Sequence, residues 1–376
     1  MSASGKPNCR RTEKANNVRK YRFIQLDVFT REPFAGNPLA VFPEAEGISD
    51  ENMLKIAREM NLSETVFVLK PKDLSLDRAE ADSSKPRTEE ESGVPVVSGT
   101  KPPNESRDRV AAGQPAESAE PKVLRRLRIF TPAREIPFAG HPVVGTWNVL
   151  AREGVVHLPK DGNGWTRIQH EVGIGILPVD IEFKDGQPVQ VVMTQGKPVP
   201  GSVMEDSAEQ ANLARALGLT TEALDENLPI QVLSTGLPFL AVPVRSLADL
   251  AKCRVNAALL AEIYERAGAT GCYPFTRETI EMGAARAHAR LFAPADNIPE
   301  DPATGSAAGA LGAYLVHHDA AGVEAVAGKF SFVIEQGDFI SRPSRINIEV
   351  EGETGAVKQV RVGGPSVVVV HGEVRF

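Results

Sequence analysis

Two ionisable residues occupy matching phrases of this sequence. Residues 128–137 read RIFTPAREIP and residues 290–299 read RLFAPADNIP, identical at six of ten positions. Just beyond, HPVVGT (141–146) aligns with DPATGS (301–306) once a two-residue length difference is closed. His141 then falls on Asp301, Pro142 on Pro302, Gly145 on Gly305 and Thr146 on Ser306. Each copy runs strand, proline-rich loop, polar residue, proline, helix. Proline suits the first helical turn, where its missing N–H would have no partner anyway. If the two halves face each other, two helix N-termini converge on one cleft. Their free amides and positive dipole ends would hold a carboxylate or phosphate. His141 and Asp301 would place a titratable group on each wall.

A shorter repeat overlaps the first. Residues 33–38 read PFAGNP and residues 137–142 read PFAGHP, so Asn37 stands where the second phrase has His141. Asn37 has two readings: it lines the cleft, or it only stabilises its turn. Asp301, ahead of a proline, suits a helix N-cap as well as a cleft residue.

The elements that must position these residues follow from hydrophobic period. YRFIQLDVF, from Tyr21, alternates as a strand. Ser49 caps a helix through Met60, with Asp50 and Glu51 in its first turn where the dipole favours anions. Residues 65–69 form a short buried strand, and 127–130 another. A helix is expected over 142–152, strands over 166–170, 175–183 and 188–194, and a helix over 207–217 ended by Gly218. Strand-like runs recur at 230–233, 239–243, 271–276 and 285–292, with a helix over 257–267. A helix over 303–317 follows, rich in small residues (SAAGALGA), as close passage through a curved sheet requires. Strands over 330–336, 345–350, 357–363 and 366–370 complete the pattern. The class is α+β, with more strand than helix.

The chain has 376 residues, 42% hydrophobic and 24% charged, enough for two domains with sizeable cores. Its net charge of −7 asks for neither nucleic acid nor an anionic membrane. Residues 71–122 are rich in Pro, Ser, Glu and Ala and read as a disordered insertion. Residues 1–20 are basic and acid-poor but lack the amphipathic apolar face of a transit peptide, and read as a disordered extension. Three cysteines (Cys9, Cys253, Cys272) without CxxC spacing fit a reducing, cytoplasmic setting.

Five stretches carry a family resemblance: QLDVFTREPFAGNPLAVF (25–42), NLSETVFV (61–68), RIFTPAREIPFAGHPVVGT (128–146), MTQGKP (193–198) and EDPATGSAAGALGAYL (300–315). Together they resemble the phenazine-biosynthesis PhzF-like isomerases, which share the diaminopimelate epimerase fold. The resemblance implies two pseudo-symmetric domains, each a curved, mostly antiparallel sheet around a central helix. On this chain they would span 21–200 and 201–365, with the terminal strand, 366–376, crossing back to the first domain. It also implies a homodimer.

The same resemblance implies that Glu64, in SETVFV, is the catalytic acid–base, with His141 and Asp301 as its catalytic partners. Glu64 lies between a helix end and an apolar strand, where burial raises a carboxyl pKa toward neutrality. It would take a proton from carbon and return one elsewhere, giving a double-bond shift or an epimerisation. His141 and Asp301 would hold and polarise the substrate or relay protons. The Gly305 and Ser306 amides and the Ser306 hydroxyl would hold the carboxylate of a small, amino-acid-like substrate, with Ser63, Gly140, Thr304 and Asn37 also lining the site. That chemistry needs no cofactor and no metal. In epimerase relatives the facing positions are cysteines; here no cysteine lies in a motif, which argues against a two-cysteine racemase.

Other signals weigh less. His317 and His318 are adjacent at a helix end, where their side chains diverge and the dipole favours them. GSAAG (305–309) is not a nucleophile elbow, because its serine directly follows the first glycine. The competing functional reading is a non-catalytic binding protein that keeps the fold. The joint presence of Glu64, His141, Asp301 and Ser306 favours the enzyme.

Overall fold

The computed structural model describes residues 19–72 and 123–376. The expected extension (1–20) and insertion (71–122) lie almost wholly outside the described residues.

The first half contains β1 (Lys20–Val28), β2 (Asn37–Phe42), α1 (Asp50–Met60), β3 (Glu64–Leu69), β4 (Val123–Phe130) and β5 (Glu135–Ile136). It continues with α2 (Gly140–Arg152), β6 (Gly164–Val172), β7 (Gly175–Lys184) and β8 (Gln187–Thr194). Then come β9 (Val199–Val203), α3 (Ser207–Ala216), β10 (Gln231–Ser234), β11 (Pro238–Pro243), α4 (Leu247–Leu250), α5 (Ala257–Arg266) and β12 (Cys272–Thr276). The remainder is β13 (Ala285–Ala289), β14 (Leu291–Ala293), β15 (Ile298–Asp301), α6 (Gly305–His317), β16 (Lys329–Gln336), β17 (Ser344–Glu353), β18 (Ala356–Gly364) and β19 (Ser366–Arg375). The fold is α+β, with long antiparallel runs such as β6–β7–β8 and β16–β17–β18.

Two helices are enclosed by this sheet. Twelve consecutive residues of α2, Gly140 to Ala151, are buried, and it packs on β1, β2, β3, β7, β8 and β19. All of α6 from Gly305 to Val316 is buried except Ser306, against β10, β11, β16, β17 and β18. A seam joins the two wraps, because β8 runs antiparallel to β18. β19 then leaves the second wrap and pairs antiparallel with β1, Lys20 opposite Arg375.

The repeated phrases have a common physical content. Arg128 lies over the Phe130 ring at 5.2 Å and Arg290 over Phe292 at 5.0 Å. Each guanidinium is forked by a carboxylate, Glu135 for Arg128 and Glu300 for Arg290. Shared Arg-x-Phe identity is thus a shared cation–π clamp beside the entry to each central helix.

Several element limits differ from expectation. α2 begins at Gly140, ahead of Pro142, and α6 at Gly305 rather than Ala303. Asp301 therefore ends a strand and is not the helix cap; the cap position is Thr304. The expected strand 285–292 breaks at Arg290, whose side chain turns inward to Glu300 and to the Leu250 carbonyl. β2 carries a proline at its second residue and hides in the sequence as the tail of a turn.

The small residues of α6 are required by contact. A β-carbon on Gly312 would lie 2.5 Å from Ile348 Cγ2, a stiff, buried side chain of β17. Gly312→Ala is expected to destabilise the fold by about 1–3 kcal/mol, as overpacking typically does. Chemical denaturation checks this, and an unchanged midpoint would show that the sheet yields freely around the helix.

Candidate active site

Glu64 is placed by the end of α1. Asn61 adopts the left-handed conformation and closes that helix, and after Leu62 and Ser63 the chain turns directly into β3. β2 runs parallel to β3, with Leu39 opposite Glu64. Asn37, the first residue of β2, is held by Gly36, whose positive φ and contact with the Val28 carbonyl leave no room for a β-carbon. His141 sits in the first turn of α2, and Asp301 ends β15 just ahead of α6.

These four residues meet. His141 Nε2 lies 3.4 Å from Glu64 Oε2. Asn37 Nδ2 lies 3.4 Å from His141 Nδ1 and donates to Asp301 Oδ1 at 3.0 Å and to the Ala303 carbonyl at 2.8 Å. Ser63 Oγ donates to Asn37 Oδ1 at 3.2 Å. The Thr304 hydroxyl donates to Asp301 Oδ2. The tips of the two PFAG phrases are therefore in direct contact.

The helix N-termini also meet. A β-carbon built on Gly140 would lie 3.7 Å from the Ser306 amide nitrogen and 3.8 Å from Gly305 Cα. Amides at the start of α6 thus face the start of α2. The Ser306 hydroxyl makes no hydrogen bond among the described residues, whereas the Thr304 hydroxyl is taken up by Asp301 and by Gln336 Nε2 at 3.1 Å.

Burial sets the protonation states. Loss of solvent, with the Asp301 charge nearby, pushes the Glu64 carboxyl up to about 8. Burial pushes Asp301 up to about 6 and lowers His141 to about 3. Near neutral pH the site holds a protonated Glu64, a neutral imidazole and a largely ionised Asp301. Glu64 Oε2 and His141 Nε2 face each other without any hydrogen-bond partner. Two adjacent, unpartnered buried polar atoms are costly and mark a place built for chemistry.

Sequence reasoning missed a supporting shell of amides. Gln195 Nε2 donates to the Gly305 carbonyl at 2.9 Å, and its Oε1 accepts from Thr235 Oγ1 at 2.5 Å. Gln336 Nε2 donates to the Asp301 carbonyl at 2.7 Å, and its Oε1 accepts from Tyr273 OH at 2.8 Å and from the Thr304 amide at 3.2 Å. Gln195 lies in the recognised MTQGKP phrase, which was the available signal. Gln336 had only a faint one, an amide ending an apolar strand. His318 Nε2 pairs with Gln231 Oε1 at 2.8 Å, away from any metal set. Among the described residues no group of three or more His, Cys, Asp or Glu side chains is arranged to hold a metal ion.

The sequence model of the phenazine biosynthesis-like proteins (PhzC–PhzF) matches residues 26–80 and 116–372. This chain belongs to that family. It is 34% identical over 356 residues to an uncharacterised isomerase of Clostridium acetobutylicum, covering 95% of this chain and 98% of that one. It is 31% identical over 353 residues to the trans-2,3-dihydro-3-hydroxyanthranilate isomerase of Pseudomonas aeruginosa, covering 94% and 98%. A PhzF-family crystal structure from Bacillus anthracis superposes with a TM-score of 0.72 at 25% identity, covering 95% of this chain and 99% of that one. A hydroxyproline epimerase from Agrobacterium vitis, 12% identical with a TM-score of 0.52, shares the fold. The chain is an isomerase of this family with the epimerase-like fold, as the resemblance implied. No described helix is long and apolar enough to cross a membrane.

The raised Glu64 pKa has a stability consequence. The folded state keeps this proton between the ordinary value of 4.5 and about 8, while the unfolded chain releases it. Stability is therefore lost as pH rises through that window. Glu64→Gln is expected to be more stable than wild type by about 1–3 kcal/mol at pH 7–8, with the gain vanishing below pH ~4.5. Denaturation curves at pH 4 and pH 8 check this; equal stability at pH 8 would mean that the carboxyl carries no burial cost.

Proposed function

We propose that this isomerase moves a proton at carbon without a cofactor, on a small carboxylated, amino-acid-like substrate. The observation that carries the reading is the buried contact between Glu64 Oε2 and His141 Nε2, both unpartnered, in the cleft where the amides of α6 face the start of α2. The residue roles agree with that geometry. The Glu64 carboxylate takes a proton from a carbon next to an unsaturated or carboxylated group. The electron pair passes into the conjugated system, and the same carboxyl returns a proton to a second carbon. No atoms are gained or lost. Asp301 and neutral His141 orient and polarise the substrate. The Gly305 and Ser306 amides with the Ser306 hydroxyl hold its carboxylate, and Ser63, Gly140 and Thr304 shape the walls.

The reading also takes 21–200 and 201–365 as the two domains that frame the cleft, and a homodimer as the working unit. Light scattering of the purified protein tests the second point: a mass near 81 kDa, twice 40.4 kDa, is expected, and 40.4 kDa would count against it.

Solvent deuterium exchange tests the chemistry. Wild type in D2O is incubated with small unsaturated acids and amino acids, trans-2,3-dihydro-3-hydroxyanthranilate among them because a relative bears that name. Wild type is expected to place deuterium at carbon, and Glu64→Gln to lose at least 100-fold in rate, the scale of a removed acid–base group. Label at a carbon away from the one deprotonated indicates a double-bond shift; label at the same carbon with inverted configuration indicates an epimerisation. Exchange that survives Glu64→Gln would remove Glu64 from its role. Because Glu64 must be ionised to take the first proton, kcat/KM is expected to rise with pH and level off above about 8.

A further inference from the structure

We infer that Asn37 is a positioning residue whose side-chain amide fixes the proton of His141 on Nε2, the ring nitrogen that faces Glu64. The inference rests on the reading of Glu64 as the proton carrier and adds what holds its partner in one state. The sequence left Asn37 as a substrate contact or a turn stabiliser; the geometry gives it a different task.

The surroundings of Asn37 fix which end of its amide points where. An asparagine oxygen and nitrogen look alike in shape, so hydrogen-bond partners must assign them. On one end lie Asp301 Oδ1 at 3.0 Å and the Ala303 carbonyl at 2.8 Å, both acceptors. On the other lies the Ser63 hydroxyl at 3.2 Å, which can donate. Reversing the amide would press its oxygen against a carboxylate oxygen and a carbonyl in a fully buried position, since Asn37 has no exposed surface. That arrangement would cost several kcal/mol in a dry site. The NH2 end is therefore fixed, and it is this end that lies 3.4 Å from His141 Nδ1.

The two hydrogens are shared among three acceptors, and an amide nitrogen accepts nothing, so an N–H on Nδ1 would face it without an acceptor and the lone pair belongs there. Neutral imidazole has one N–H and one lone pair, so the proton must sit on Nε2. Nε2–H then lies on the Glu64 side of the ring, 3.4 Å from Oε2 without a hydrogen bond between them, free for a substrate oxygen. His141 meets Glu64 or a substrate oxygen as a donor and cannot take the Glu64 proton at Nε2. The carbon-bound proton has one carrier, the Glu64 carboxyl. One short amide thus touches two groups at once: its NH2 group holds Asp301 and the Ala303 carbonyl by its two shorter contacts and presents its third, longer one to His141 Nδ1.

The test reads the tautomer directly. The full-length protein is labelled with 15N-histidine, and two-dimensional NMR reports which ring nitrogen of each of its seven histidines carries the proton. His141→Gln identifies the His141 signals by their loss. Wild type is expected to show His141 as the neutral Nε2–H form, unchanged from pH 8 to pH 5. In Asn37→Asp the new carboxylate accepts where the amide donated, so the proton is expected to move to Nδ1. The groups that face the ring in this titration are Glu64 from β3 and Asp301 from β15, with Tyr273 of β12 beyond Asp301. A merely structural asparagine would leave the tautomer in place. An Nδ1–H form in wild type would overturn the inference without any variant at position 37, and so would an Nε2–H form that persists in folded Asn37→Asp. The readout is independent of turnover. Failure of Glu64→Gln to lose exchange would defeat the proposed mechanism while leaving the tautomer result standing, and the reverse also holds.

Discussion

A carboxyl buried with no cation beside it is the constraint on which the rest of this structure depends. Glu64 and Asp301 are both removed from water, and the groups that link them are a neutral imidazole and the Asn37 amide rather than a counter-charge. The stabilising partners are dipoles: an amide at Asn37 and a hydroxyl at Thr304 for Asp301, and the Ser63 hydroxyl for Glu64. Fixed dipoles need a rigid frame to stay aimed. The frame is a pair of buried helices held inside a twisted sheet, with glutamines at 195 and 336 tying the mouth of α6 to neighbouring strands. The cost of burying the acids is carried by two large apolar wraps that meet at the β8–β18 seam.

Much of this was legible in the sequence, because the informative residues are close together in the chain. The repeat around Arg128 and Arg290 marked the entries to both central helices, and the cation–π clamps explain why those letters recur. Glu64, His141 and Asp301 each lie within a compact phrase; in the structure Glu64 faces His141, and Asp301 joins them through Asn37. What stayed hidden acts across distance. Gln336 reaches Asp301 from 35 residues away, and Gln195 reaches Gly305 from 110. Nothing local distinguishes such an amide from any other polar residue at a strand end. The helix starts were misjudged because proline marks only a permitted first turn: the helices begin at Gly140 and Gly305, two residues before and two residues after the expected starts.

Asn37 shows how a motif can be seen before its contacts are known. Its likeness to His141 was plain in the two PFAG phrases, yet the sequence could not say that the two tips touch. The segment between residues 72 and 123 teaches the converse. It leaves from the far end of β3 relative to Glu64 and returns at β4, which pairs antiparallel with β3. A six-residue strand spans roughly 20 Å, so β3 ends well away from Glu64.

The pairing of β19 with β1 carries a consequence for biogenesis. Lys20 finds its strand partner, Arg375, only after the 355 residues up to that partner have been made. Until then β1 has an open edge along one side, next to the helix that contains His141. Contacts separated by most of the chain length form slowly, and an unpaired edge is a site of wrong association. During synthesis the first wrap must therefore wait, incomplete, for the last strand to leave the ribosome.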